Sequence, residues 1–261
     1  MSQWEDLRER LRRLAEEGPL LVAFSGGLDS RFLVHAALAA GVDVLAVHAT
    51  GPHLPAEESR QARRWAARRG VPLEEVRAHV LDLPGVANNS RERCYHCKTH
   101  LLTLMRQHAP HRIVCDGTNA DDLGVYRPGL HALREAGVRS PLAEAGLHKA
   151  RLRELAAATG LEDPQQAARP CLLTRLAYGM RPQASLLERV AAAEAALADL
   201  GLRDFRLRLT PAPVLQSLPL PEAMRAAALR LVAEYGFPDA TLLEESRLSG
   251  YFDRDTPHTS R

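Results

Sequence analysis

Leu20-Leu21-Val22-Ala23-Phe24-Ser25-Gly26-Gly27-Leu28-Asp29-Ser30 is the stretch that decides the fold of this chain. Five apolar residues followed by a glycine pair read as a strand buried in a parallel sheet, where both faces are covered and no alternation is needed. From Arg31 to Ala40 the composition is helical, and Gly41 supplies a stop. A strand, a glycine turn and a helix bring backbone N–H groups and a positive helix end to one point, which suits a phosphate. Gly26 and Gly27 let the backbone approach an anion, while Ser25 and Ser30 offer hydroxyl donors. Asp29 is a poor partner for bare phosphate but a sensible one for a magnesium–phosphate complex.

The loop lacks the Gly-Lys-Ser/Thr ending of a Walker A motif and therefore its phosphate lysine. Ser-Gly-Gly-Leu-Asp-Ser resembles instead the SGGxDS loop of PP-loop ATP pyrophosphatases, which bind pyrophosphate there and release it while adenylating a substrate. A plain glycine turn between strand and helix is the alternative reading of a bare Gly-Gly. The full hexapeptide after an apolar strand argues against it.

Outward from this loop the pattern stays regular. Upstream, Trp4, Leu7, Leu11 and Leu14 recur at helical spacing and predict an amphipathic helix ending near Gly18. Downstream, Val44–His48 reads as a second strand, Glu57–Arg69 as a helix ended by Gly70, and Leu73–Val80 as a third strand. This alternation predicts an α/β fold with a parallel sheet and right-handed crossovers. Nucleotides bind such sheets at the carboxyl ends of the strands, where the Ser25–Ser30 loop lies. Arg60, Arg63, Arg64, Arg68 and Arg69 read as a solvated face, since Glu57 and Glu58 accompany them.

The chain has 261 residues, enough for one large domain or two modest ones, and a formal net charge of +2. That balance gives no global signal for nucleic acid or a membrane surface. Four cysteines are too few for a disulfide scaffold and favour a reducing compartment. There is no apolar run of about 18 residues to span a membrane. The charged N-terminus does not read as a signal peptide. A cytoplasmic protein is expected.

Cys94 and Cys97, in Glu92-Arg93-Cys94-Tyr95-His96-Cys97-Lys98, are three apart and share one face of a helix or its first turn. Two thiolates so placed suit a soft metal, a cluster or redox exchange, and equally a pair of structural cysteines. A fourth strand, Arg112–Cys115, opens into Asp116-Gly117-Thr118-Asn119-Ala120-Asp121-Asp122, small polar and acidic residues where a nucleotide or magnesium would be met. Asp121 and Asp122 are the candidate magnesium ligands. Cys115 is expected to pack as a small hydrophobe. After a helix at 150–158 comes Arg169-Pro170-Cys171-Leu172-Leu173-Thr174-Arg175-Leu176-Ala177-Tyr178-Gly179. There Arg169 and Arg175 stand close enough in sequence to lower the Cys171 pKa and to neutralise phosphate charge.

SGGLDS, ERCYHCK, DGTNADDLGVYRPG, RSPLAEAG and RPCLLTRLAYG occur in the order and spacing of the LarE family, over about residues 20–200. The resemblance implies a Rossmann-like PP-loop ATP pyrophosphatase domain, residues 1–179, and a smaller C-terminal α+β domain, residues 180–261, for substrate and oligomer contacts. It implies an ATP site of Ser25, Gly26, Gly27, Asp29, Ser30, Gly117, Thr118 and Arg127, with Asp29, Cys171 and Arg175 in catalytic roles. ATP would adenylate a carboxylate of pyridinium-3,5-biscarboxylic acid mononucleotide, and a sulfur nucleophile would displace AMP to leave a thiocarboxylate. One kind of family member sacrifices a single cysteine at the position of Cys171. Another uses three, corresponding to Cys94, Cys97 and Cys171, to hold a 4Fe-4S cluster with an open iron. The present chain has all three, which favours the cluster; a Cys₃His zinc site with His96 or His100 is the alternative. The family further implies a homo-oligomer.

Beyond Gly179 an alanine-rich helix, 182–200, leads to Arg203–Leu209. In an extended segment Phe205, Leu207 and Leu209 would face the core, with Arg206 and Arg208 pointing the other way. The pair resembles the family's Arg-x-Arg, expected to hold substrate phosphate. Leu209-Thr210 stands where a His-Gly is expected, and Leu248 replaces an arginine of Glu-Gly-Tyr-Arg-Ser-Gly, so the acceptor half departs from the pattern. A tRNA thiolase, an amidating synthetase of the NAD or GMP synthetase type and, if the altered C-terminal part has lost its substrate, a non-enzymatic ATP-binding regulator are the other readings. The first would want a basic surface, and the second gives no use for three cysteines.

Overall fold

The computed structural model describes residues 2–124 and 128–253. The chain divides into two compact units, Met1–Leu83 with Glu92–Arg169, and Pro84–Arg91 with Pro170–Arg261.

The first unit opens with α1 (Gln3–Glu17), capped by Ser2, whose hydroxyl accepts the Glu5 N–H at 3.2 Å. There follow β1 (Leu20–Ala23), α2 (Leu28–Ala39), β2 (Val44–Thr50), α3 (Ala56–Arg69), β3 (Leu73–Arg77), α4 (Arg93–His108), β4 (Ile113–Cys115), α5 (Pro128–Glu135) and α6 (Lys149–Ala158). The strands form one sheet in the order β3-β2-β1-β4, every pair parallel. Leu20 stands opposite both Val44 and Ile113, which sets the register of the central three.

Side-chain alternation shows that both faces are covered. Leu20, Val22 and Ala46 pack on one side with Leu7 and Leu11 of α1, Phe32 and Leu33 of α2, and Trp65 of α3. Leu21, Leu45 and Val47 pack on the other with Leu102 and Met105 of α4 and Leu133 of α5. This is why β1 reads as an unbroken apolar run. Successive strands step from β1 to β2 to β3, and the chain then returns to the far side of β1 to lay down β4. The reversal leaves a topological switch point between the carboxyl ends of β1 and β4, the usual ligand crevice of an open parallel sheet.

The second unit holds α7 (Ala184–Asp199), β5 (Phe205–Arg208), β6 (Val214–Ser217), α8 (Glu222–Glu234) and β7 (Thr241–Glu244). β5 and β6 pair antiparallel, and β6 and β7 pair parallel. Asn89, fully buried, ties the 84–91 segment into this unit by donating to the carbonyls of Leu176 and Ala177 at 3.2 and 2.7 Å. The Cys171–Gly179 stretch joins it through Leu209, whose N–H donates to the Arg175 carbonyl at 2.6 Å and whose carbonyl accepts from Ala177 N at 3.0 Å. The composition of the sequence changes at Gly179, whereas the contacts change at Pro170 for this reason. Among the described residues no helix is long and apolar enough to cross a membrane.

Candidate active site

The loop after β1 is preformed. Gly26 has φ 75°, a left-handed conformation that favours glycine, and a Cβ there would lie 3.1 Å from the Ala62 Cβ of α3. The Gly27 N–H donates to Ser25 Oγ at 3.2 Å, the Ser30 hydroxyl donates to the Gly27 carbonyl at 3.1 Å, and the two serine oxygens are 3.1 Å apart. α2 starts at Leu28 with Gly27 as its N-cap and no side-chain cap. Its first-turn amides are therefore left to a ligand or to water.

The loop after β4 meets this one directly. A Cβ on Gly117 would sit 2.9 Å from the Ser30 nitrogen and 3.1 Å from the Asp29 carbonyl carbon, both backbone atoms with little room to yield. Asp116, nearly buried, accepts from the Thr118 N–H at 3.2 Å, the Thr118 hydroxyl at 2.6 Å and the Ser140 hydroxyl at 2.7 Å. Lys98 of the Cys-x-x-Cys-Lys segment brings Nζ to 3.8 Å from the same carboxylate. Residues from four of the quoted segments thus meet at one end of the sheet; of these, Asp29, Ser30, Gly117 and Thr118 are the ones expected at an ATP site, and Lys98, Asp116 and Ser140 are not. The Thr118 hydroxyl proton is directed at Asp116 and not outward.

A residue to which the sequence reading assigned no role completes the loop. Lys149, first residue of α6, donates from Nζ to Asp29 Oδ2 at 2.6 Å, with both side chains about one quarter exposed. The other Asp29 oxygen is buried and has no hydrogen-bond partner. A cation that the loop itself lacks thus reaches it from the start of a distant helix.

The expected magnesium ligands are engaged elsewhere. Asp121 accepts from His148 Nδ1 at 2.7 Å and the Lys149 N–H at 2.8 Å, and these bonds, the backbone one foremost, hold its carboxyl below the usual range. Asp122 accepts the Asn119 N–H at 3.1 Å in a capping box that starts the turn Ala120–Leu123. Arg127 lies outside the described residues.

Cys94 and Cys97 lie one turn apart at the start of α4, the first exposed and the second half-buried. Cys115 is buried in β4, and burial, with Glu144 adding to it, pushes its thiol up to about 12. It packs as an inert hydrophobe, as the sequence predicts. Cys171, in the second unit, is half-buried and caps a single tight turn, Leu172–Arg175. Three accessible thiols suit a soft iron–sulfur group chemically, yet among the described residues no three His, Cys, Asp or Glu side chains are gathered into a metal-binding group.

Two arginines depart from their expected roles. Arg175 is buried, and its guanidinium forks onto Glu194 at 2.9 and 2.7 Å while Nη1 donates to the Pro170 carbonyl at 2.7 Å. It holds the backbone of the Cys171 turn. Arg208 does not point to solvent opposite the core. It is 4% exposed and donates to Gln216 Oε1 at 2.9 Å, the Thr174 carbonyl at 2.7 Å and the Leu248 carbonyl at 2.6 Å, beneath the rings of Tyr251 and Phe252. Burial, with Arg175 and Arg206 nearby, pulls its guanidinium down to about 10. Arg206 is half-buried and donates to the Phe205 carbonyl at 2.5 Å.

A four-stranded parallel sheet covered by helices on both faces, with a glycine loop, an uncapped helix start and a lysine-paired aspartate at its switch point, defines a Rossmann-like α/β protein. No protein-family model matches the chain. An uncharacterized protein of Synechocystis is 36% identical over 211 residues, 79% of this chain and 78% of that one. The pyridinium-3,5-bisthiocarboxylic acid mononucleotide synthase of Lactiplantibacillus plantarum is 33% identical over 192 residues, 72% of this chain and 70% of the synthase. An uncharacterized protein of Methanocaldococcus jannaschii is 29% identical over 175 residues, 66% of each chain. The chain belongs to the family of that synthase, the LarE family.

Proposed function

We propose that this protein is an ATP-dependent sulfur transferase that converts a carboxylate of pyridinium-3,5-biscarboxylic acid mononucleotide into a thiocarboxylate. The observation that carries the reading is Asp29, one oxygen on Lys149 and the other buried without a partner, at the mouth of an uncapped helix. An orphaned carboxylate oxygen there fits a magnesium ion travelling with ATP, and Asp29 is the residue that would hold it. Bound magnesium would neutralise phosphate charge.

The chain's own groups do the rest. The amides of the 25–30 loop and the Lys149 ammonium cradle the phosphates of ATP. A substrate carboxylate oxygen attacks the α-phosphorus, the bond to the leaving pyrophosphate breaks, and charge on the departing group is met by Lys149 and the helix start. A sulfur nucleophile then displaces AMP from the acyl carbon. Cys94, Cys97 and Cys171 are the sulfur-handling thiols; a 4Fe-4S cluster on them would supply an iron able to carry sulfide.

Pyrophosphate release tests the first half. Asp29→Ala and Gly27→Val should abolish it while leaving the thermal transition near that of wild type, and normal adenylation by either variant refutes the site. Anaerobic iron and sulfide analysis tests the second. Single Cys→Ser changes at 94, 97 or 171 should each bleach the protein, and Cys115→Ser should not. A colourless protein whose Cys171 becomes dehydroalanine on turnover would replace the cluster with a sacrificial sulfur.

A further inference from the structure

Arg31 follows Ser30 in the first turn of α2 and is 5% exposed, deeper than an arginine usually lies. Its Nη1 donates to the Glu162 carbonyl at 2.9 Å, and its Nη2 donates to the Asp163 carbonyl at 3.2 Å and to Gln166 Oε1 at 2.9 Å. Gln166 in turn donates from Nε2 to the Gly26 carbonyl at 3.4 Å. Residues 162–166 are thus a strap tied back onto the phosphate loop. A second tie runs from Arg68 of α3 to Glu162 at 2.8 Å, and Asp163 turns the strap with φ 48°.

The Gly26 carbonyl matters because it shares a peptide plane with the Gly27 N–H. That plane lies between two residues without a Cβ, so little steric resistance opposes its rotation. Gln166 holds its oxygen and Ser25 Oγ holds its N–H.

We propose that Arg31 and Gln166 are positioning residues for ATP: acting through the Gly26 carbonyl, they set the orientation of the Gly26–Gly27 peptide and so the direction in which the loop presents its amides to the triphosphate. The proposal rests on the ATP reading of the loop. It assigns Gln166 two separable bonds, one that secures the strap and one that orients the loop.

Gln166→Glu separates them. A glutamate still accepts from Arg31, and more strongly, but it cannot donate to the Gly26 carbonyl and places an oxygen against it. Gln166→Met keeps the side-chain length and removes both bonds. Pyrophosphate release is measured against magnesium ATP, with thermal unfolding in parallel. Both variants should raise the KM for ATP about tenfold, as expected for one lost and partly opposed hydrogen bond. Both should keep kcat within about twofold, because the loss is in ground-state positioning. Gln166→Glu should unfold at the wild-type temperature or above it. If Gln166 serves only the strap, Gln166→Glu will show the wild-type KM, and that result overturns the proposal. A wild-type protein that neither binds magnesium ATP nor releases pyrophosphate refutes the ATP reading and this proposal together. One that does both, with variants of unchanged KM, refutes this proposal alone.

Discussion

Lys149 and Asp29 show what a single contact can decide. Their ion pair is short and partly shielded from water, and it lies where phosphate charge would arrive. Lys149→Ala removes the cation and leaves a carboxylate facing the triphosphate, so both terms act in one direction. The KM for ATP should rise about 10- to 100-fold, the range for one charge-assisted hydrogen bond, as read by pyrophosphate release. Nothing local in the sequence announces this pair, because its members stand 120 residues apart and only the sheet brings them together. His53 makes a second residue-scale case. It is buried with Nδ1 unpartnered, and burial, with His48 adding to it, lowers its pKa from 6.5 to about 4. The unfolded chain therefore takes up a proton between pH 6.5 and about 4 that the folded chain refuses. Stability from neutral His53 is fully present above pH 6.5 and is lost as pH falls through that window, by roughly 2 kcal/mol at pH 5. The urea midpoint should fall between pH 7.5 and pH 5 in wild type, and by visibly less in His53→Gln.

Elements whose burial follows one simple rule were legible, and those with two competing partners were not. The spacing of Leu7, Leu11 and Leu14 predicts α1, and the apolar run at Leu20 predicts β1, because each has one environment along its length. β5 breaks the rule. Alternation places Phe205, Leu207 and Leu209 inward, which holds, but the opposite face is also covered and takes Arg208 with it. The acidic residues after β4 illustrate the same limit. Asn119 and Asp122 are spaced as a capping box, a signal present in the sequence and outweighed there by the metal reading. Gly117 reads in the sequence as part of a nucleotide site, and not as the point where two loops touch. Gly117→Ala would press a methyl to 2.9 Å from the Ser30 nitrogen, and either the β4 loop or the start of α2 must shift. About 1–3 kcal/mol of stability should go, the usual cost of overpacking, and pyrophosphate release should fall with it. Thermal unfolding and activity of this one variant, measured together, check both.

At the scale of the whole molecule, charge distribution bears on which class of acceptor the proposed sulfur transfer would serve. A tRNA thiolase needs an extended run of unneutralised cations, since each phosphate contact carries part of the affinity. The arginine-rich helices here have no such run. On α1, Arg8 pairs with Glu5, Arg10 with Asp6, and Arg12 and Arg13 with Glu9. On α3, Arg60 and Arg64 pair with Glu57, Arg63 with Glu75 and Arg68 with Glu162, while Arg69 donates to His35. Exposed pairs of this kind add little stability, but they cancel the local field that would draw a polyanion. The net charge of +2 leaves little more at long range. Bulk tRNA should therefore form no complex below about 10 µM protein at about 0.15 M salt in an electrophoretic titration, no tighter than ordinary non-specific binding. Ribonuclease treatment should leave pyrophosphate release with the mononucleotide unchanged. Copurification of tRNA, or its thiolation with the mononucleotide inert, would transfer the same loop and the same three cysteines to nucleic-acid chemistry.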